Sequence, residues 1–187
     1  MTDTVVSIGN RAFIDCDKIK SITLPDGLEV IGNSVFWGCD ALSHINIPKT
    51  VKRIGRNVFS KCKSLREILL PQGLKHISDG MFYECNNLLN LDIPFGVTSI
   101  GQSVFQYCNN LEKITIPITV NEIGDSIFFD CFKLQNVLYE GTKGDWEKII
   151  KIAPEGEEWS IGNDHQWSGL SHKFPIKIQC LDGIIEY

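Results

Sequence analysis

Six cysteines stand at Cys16, Cys39, Cys62, Cys85, Cys108 and Cys131, each 23 residues after the last with no slippage. A spacing this regular is a repeat period, and other columns keep the same step. Phe13, Phe36, Phe59, Phe82, Phe105 and Phe128 stand three residues before each cysteine, and Ile19, Leu42, Leu65, Leu88, Leu111 and Leu134 three after. Pro25, Pro48, Pro71, Pro94 and Pro117 close an apolar-x-apolar pair, and Glu140 alone breaks that column. Ile-Gly opens the next unit at Ile8, Ile31, Ile54, Ile100 and Ile123, with Ile77-Ser78 the single departure. A unit of this length cannot bury its own apolar face and must stack on its neighbours, so the chain is a solenoid.

Each coil has a readable interior. Leu-x-x-Ile-x-Ile-Pro alternates inward apolar with outward polar positions, the strand period, and proline stops the strand. Strands that all run one way predict a parallel sheet, about 25–30 Å long at roughly 4.8 Å per coil. The Gly-x-x-x-Phe-x-x-Cys segment has apolar residues at i, i+3 spacing and predicts a helical turn or short 3₁₀ piece. Residues 51–54 and their equivalents predict a second short extended stretch. The recurrent glycine is read as the residue that turns the backbone. The expected fold is an α/β-type repeat solenoid with a short parallel β-sheet and helical or 3₁₀ turns. It forms one domain over residues 1–187, with repeats over about 8–140 and a cap over about 141–187.

The motif Ile-Gly-x-x-x-Phe-x-x-Cys-x-x-Leu-x-x-Ile-x-Ile-Pro, as in residues 31–48, closely resembles the BspA-like leucine-rich repeat of bacterial and some protozoan surface proteins. The resemblance covers about residues 5–140, and residues 139–146 and 178–184 look like the closing segments of such arrays. It implies a right-handed leucine-rich-repeat coil on a bacterial cell-surface or secreted protein. It further implies a non-catalytic role in adhesion or protein binding, with a host matrix or surface protein as the kind of ligand.

Bulk chemistry narrows the alternatives. A net charge of −5, with no basic run, argues against nucleic acid or an anionic membrane surface as partner. No apolar stretch approaches the roughly 18–20 residues that span a bilayer. Residues 1–9 lack a basic n-region and an apolar h-region, so no signal peptide is read there, and a leader removed before Met1 stays open. Metal coordination needs about four ligands converging on a point, whereas the cysteine column sets thiols along a line. Parallel side chains also keep neighbouring cysteine Cβ atoms too far apart for disulfides. The column is therefore read as buried free thiols acting as small hydrophobes, and Cys180 as packed too. His165, His172 and Cys180 lack the tight pair of a metal site, and Glu157-Glu158 reads as solvated surface. An enzyme would need Asp164, His165 and His172 to converge. No catalytic residues, metal site or cofactor are assigned.

The residues free to vary form outward columns. One reads Thr23, Asn46, Leu69, Asp92, Thr115, Leu138, and another Ser21, His44, Glu67, Asn90, Lys113, Asn136. After the prolines stand Asp26, Lys49, Gln72, Phe95, Ile118 and Gly141. From these columns His44, Glu67, Leu69, Asn90, Asp92, Phe95, Lys113 and Ile118 are the candidate partner-binding residues: apolar anchors within a polar rim. Tyr83, beside Phe82, is expected outside the core.

The ends depart from the repeat. Residues 142–152 predict a short amphipathic helix capped by Thr142 or Asp145, with Trp146, Ile149, Ile150 and Ile152 over the open stack. Residues 174–187 alternate and turn at Asp182-Gly183, a hairpin, and residues 153–173 around Trp159 and Trp167 read as an irregular loop. The sequence enters the array partway through a coil at Val5 with no polar capping unit before it, so the expectation is that either more protein lies upstream or something pairs there. The leading expectation is a protein-binding or adhesion module. The alternative is a structural spacer or assembly unit that self-associates through the first coil.

Overall fold

The computed structural model describes residues 5–152 and 176–186. Two parallel ladders run along the coil. The first comes from the strands before the prolines: β2 (Ser21–Thr23), β4 (His44–Asn46), β7 (Asn90–Asp92), β9 (Lys113–Ile116) and β11 (Asn136–Tyr139). The second comes from the extended residues before the Ile-Gly positions: β1 (Ser7–Ile8), β3 (Val30–Ile31), β5 (Arg53–Ile54), β6 (His76–Ile77), β8 (Ser99–Ile100) and β10 (Glu122–Gly124). Every pairing between these strands joins residues 23 apart, such as Ile22 with Ile45 and Ile8 with Ile31. The core is continuous from Leu24 to Cys180. In its centre five successive pairs of phenylalanine rings, Phe13 to Phe128, stack with centroids 5.5–5.8 Å apart.

Between Gly and Cys the chain forms consecutive tight turns rather than a helix. Bonds of the i to i+3 kind are present, as from the Cys39 N–H to the Phe36 carbonyl. They do not propagate, because two residues per coil sit in the left-handed region, for example Arg11 and Asp15, Asn57 and Lys61, or Ser103 and Tyr107. Those kinks aim alternate N–H groups at the next coil, where the amides of Phe13, Phe36, Phe59, Phe82 and Phe105 donate to Val35, Val58, Met81, Val104 and Ile127. A helix would have spent those donors on itself.

The cysteine column has a second use for its thiol. Cys39, Cys62, Cys85, Cys108 and Cys131 each donate S–H to the carbonyl of the phenylalanine one coil back, at 2.9–3.2 Å. All seven thiols are free. Burial pushes the Cys39 thiol up to about 11 and Cys131 to about 12, so they stay protonated donors at neutral pH.

The glycine after Ile31, Ile54, Ile100 and Ile123 is there for space, which corrects its reading as a turning residue. None of these glycines has a positive φ. A Cβ on Gly32, Gly55, Gly101 or Gly124 would stand 2.6–2.8 Å from a backbone nitrogen of the preceding coil, closer than van der Waals contact permits. Ser78 is the one residue of this column that carries a Cβ, and the ladders are interrupted there. Thr98 donates its amide to Lys75 at 2.8 Å, and Lys52 to Glu29 at 2.9 Å, but the intervening rung from Lys75 to Lys52 is missing. Gly55 and Gly101 donate to Ile31 and Ile77, whereas the Ser78 hydroxyl, not its amide, reaches the Ile54 carbonyl at 2.7 Å. On the first ladder Glu67–Leu69 pairs with neither β4 nor β7. A seam therefore runs through this coil: on the second ladder it lies between β5 and β6, and on the first the stretch 67–69 is unpaired on both sides. The phenylalanine stack crosses it without change, at 5.7 Å from Phe59 to Phe82.

The C-terminal end is closed on both ladders. Helix α1 (Lys143–Glu147) starts in a reciprocal capping box between Thr142 and Asp145. It buries Trp146 edge-on against Tyr139 at 5.2 Å. The helix is shorter than its sequence pattern suggested, since β12 (Ile150–Ile152) extends the second ladder alongside β10. A strand edge with unmet backbone groups outcompetes two more helical turns. On the first ladder β13 (Lys177–Cys180) lies parallel to β11, and β14 (Gly183–Glu186) returns antiparallel to it. The Asp182 carboxylate accepts from the Lys143 amide at 2.8 Å and ties hairpin to helix. The expectations placed on Glu157, Glu158, Trp159, Asp164, His165, Trp167, His172 and the start of the hairpin lie outside the described residues.

Candidate protein-binding surface

The strand positions put the outward columns on the first ladder. His44 is exposed on β4, Asn90 and Asp92 on β7, and Lys113 on β9, where it stands directly beside Asn90. Glu67 and Leu69 belong to the unpaired stretch at the seam, and Leu69 is 86% exposed. Phe95 and Ile118 sit at the corner where the chain passes from the first ladder to the second, 65% and 47% exposed.

That corner is rigid. The Thr119 hydroxyl donates to the Val97 carbonyl at 2.8 Å and accepts the Gly96 amide at 3.1 Å, fastening the Ile118 corner to the Phe95 corner. Thr50 fastens its own corner to the preceding one in the same way, through the carbonyls of Asp26 and Leu28. The corner at Gly73 has no hydroxyl to do this. The structure thus groups Asn90, Asp92, Phe95, Lys113 and Ile118 over two adjacent coils. Leu69 and Glu67 lie one coil away, across strands that do not pair, and His44 one coil further. Three members of the outward columns turn out covered: Thr115 and Gly141 are buried and Leu138 is half-buried.

A second feature becomes visible once the residues before each Ile-Gly are read as columns. Lys52, Arg53, Arg56 and His76 line one cleft of about 400 Å³ on the second ladder, together with Asn10, Val30, Asn33 and Ser78. In the linear sequence these basic residues are spread over 25 positions, and only the coil period places them together. Among the described residues, no three of His, Cys, Asp or Glu are placed to hold a metal ion. No helix there is long and apolar enough to cross a membrane.

The comparison with known families agrees with this architecture: the BspA type leucine rich repeat region matches residues 1–111 and 29–144, in six copies. The chain belongs to the BspA-type leucine-rich-repeat family. Solved structures similar to this BspA-type array include the leucine rich repeat protein TpLRR of T. pallidum, 28% identical with a TM-score of 0.71, over 80% of this chain and 67% of that one. A leucine rich cell surface protein of Faecalibacterium prausnitzii is 24% identical with a TM-score of 0.57, over 79% of this chain and 55% of that one. A leucine-rich repeat protein of Eubacterium ventriosum is 21% identical with a TM-score of 0.66, over 89% of this chain and 45% of that one. The last two show the shared fold, and this chain spans about half of their length. No curated protein sequence matches.

Proposed function

We propose that this BspA-type array is a non-catalytic protein-binding module acting at the bacterial cell surface or outside the cell, with a host matrix or surface protein as the kind of ligand. One observation carries the reading. Phe95 and Ile118 hold large apolar side chains in water on a fastened corner, above a core that is already closed beneath them. Apolar anchors on the same two coils as the exposed polar residues Asn90, Asp92 and Lys113 have the composition of an interface hot spot. The surface setting draws on the family and on the relative described as a cell surface protein.

The test is the double change Phe95→Ser with Ile118→Ser in an array immobilised against purified host matrix proteins and the organism's own secreted proteins. Exposed side chains that bind a partner should leave the melting temperature within about 3 °C of the parent while capture is lost. A large fall in melting temperature would assign both residues to packing. Unchanged stability and unchanged capture would move the interface elsewhere.

A second reading, self-assembly, rests on the first coil. Its Val5 and Val6 are exposed and Phe13 stacks on Phe36 on one side only, whereas Phe36 is fully buried. A cleft of about 580 Å³ opens there, lined by Val5, Ile8, Phe13, Ile22 and Leu24 among others. On this reading, light scattering finds a concentration-dependent dimer that disappears when a polar capping coil is fused before Val5. A monomer at all concentrations refutes it.

A further inference from the structure

The cleft on the second ladder differs from the corner in both position and chemistry. Its polar lining consists almost entirely of donors. Lys52, Arg53 and Arg56 contribute ammonium and guanidinium groups, and His76 an imidazole whose Nδ1 is already engaged with the Ser99 hydroxyl at 2.7 Å. The carboxamide oxygens of Asn10 and Asn33 are spent on the amides of Asn33 and Arg56, at 2.7 and 2.9 Å, which leaves their NH₂ groups as the free ends. The Ser78 hydroxyl is spent on the Ile54 carbonyl. Gly32 and Gly55 add only backbone.

Charge on the rim is not balanced. Lys52 pairs with Glu29 at 3.1 Å and Arg56 with Asp79 at 3.2 Å, both pairs largely in solvent and easily exchanged. Arg53, by contrast, has no ion-pair partner among the described residues. A lining rich in donors calls for an anionic acceptor, and guanidinium groups favour planar carboxylates held by paired hydrogen bonds. The half-buried side chain of Val30 forms an apolar part of the wall, which suits a ligand that sets aliphatic groups beside its charges.

We propose that this cleft binds a short acidic peptide segment of a partner protein, with carboxylates on Arg53, Lys52 and Arg56 and an aliphatic side chain against Val30. The proposal rests on the protein-binding reading but uses a separate surface from the Phe95 and Ile118 corner. The array would then hold a partner at two places around one edge of the coil.

A fluorescein-labelled octapeptide of alternating Glu and Val is the probe, read by polarisation at about 50 mM salt, where surface charge is weakly screened. Saturable binding is expected, with none for the matched Lys and Val octapeptide. Arg53→Glu should weaken binding by about tenfold or more, as loss of a charge-assisted contact implies, with no change in the melting curve. The folded Phe95→Ser, Ile118→Ser variant should bind the probe as the parent does. Partner capture that fails at the corner can therefore be told apart from peptide binding that fails in the cleft. Absence of saturable binding, equal binding of the Lys and Val peptide, or indifference to Arg53→Glu would each overturn the proposal. So would loss of binding in the folded corner variant, or displacement by a sulfated oligosaccharide at lower concentration than by unlabelled peptide.

Discussion

Phe82→Ala is expected to lower stability by about 3–5 kcal/mol, the cost of emptying an aromatic site in a core that cannot collapse around it. Phe82 is fully buried and its ring faces Phe59 and Phe105 at 5.7 Å on both sides. The neighbouring coils are held at fixed spacing by the amide bonds of Phe59 and Phe82 to Met81 and Val104, so they cannot close the gap. Tyr83 is the comparison. The sequence placed it outside, but it is half-buried and meets Tyr107 edge-on at 5.5 Å. Tyr83→Ala should therefore cost about 1 kcal/mol, the scale of one aromatic pair. Urea melts of both variants decide the matter: comparable losses would mean that the phenylalanine column is not the central support of the stack.

Ser78→Gly is expected to close the seam. Its Cβ occupies a place where four equivalent glycines leave room for the backbone of the preceding coil, and its hydroxyl takes the carbonyl that their amides use. Without the Cβ, the amides of Ser78's replacement and of Lys75 can meet the carbonyls of Ile54 and Lys52, as Gly101 and Thr98 meet Ile77 and Lys75. Hydrogen exchange reads this directly. The Lys75 amide should exchange at least about a hundredfold more slowly in the variant than in the parent, as an amide does on entering a ladder. The Phe82 amide, bonded to Val104 in both, should change little. Unchanged exchange at Lys75 would show that something other than the Ser78 side chain holds the coils apart.

Much of this fold was legible because every coil repeats the same physical demands. The phenylalanine, cysteine and leucine columns are the core the period implied, and the strands fall where the alternation put them in every coil except at Glu67–Leu69. The misreadings share a cause: each concerned backbone meeting backbone, which side-chain patterns report poorly. The turn segments contain left-handed residues, glycine only at Gly38 and Gly80 and side-chain-bearing residues such as Asp15, Lys61 and Glu84 elsewhere, because amides aimed at the next coil hold them there. The conserved-looking spacing of Ile-Gly suggested a turn, when its purpose is clearance. Residues 150–152 carried a helical pattern and became a strand because β10 offered an edge.

The candidate surface was legible in part. Exposure of Leu69, Phe95 and Ile118 followed from reading the columns, while the covering of Thr115 did not. Grouping Lys52, Arg53, Arg56 and His76 required the columns on the second ladder, where no motif drew attention.

The pairing of strands in successive repeats at a constant separation of 23 residues also bears on how such a chain changes over generations. A duplication or loss of one whole unit brings equivalent residues to every new junction, so the remaining bonds find the partners they would have had. An insertion of another size must loop out of the coil, leaving the pairing intact as it is between β11 and β13 across their longer connection, or break the columns where it falls. The length of the array is thus free to drift in whole units while its cross-section stays fixed, and a lineage can lengthen its reach without having to discover a new fold.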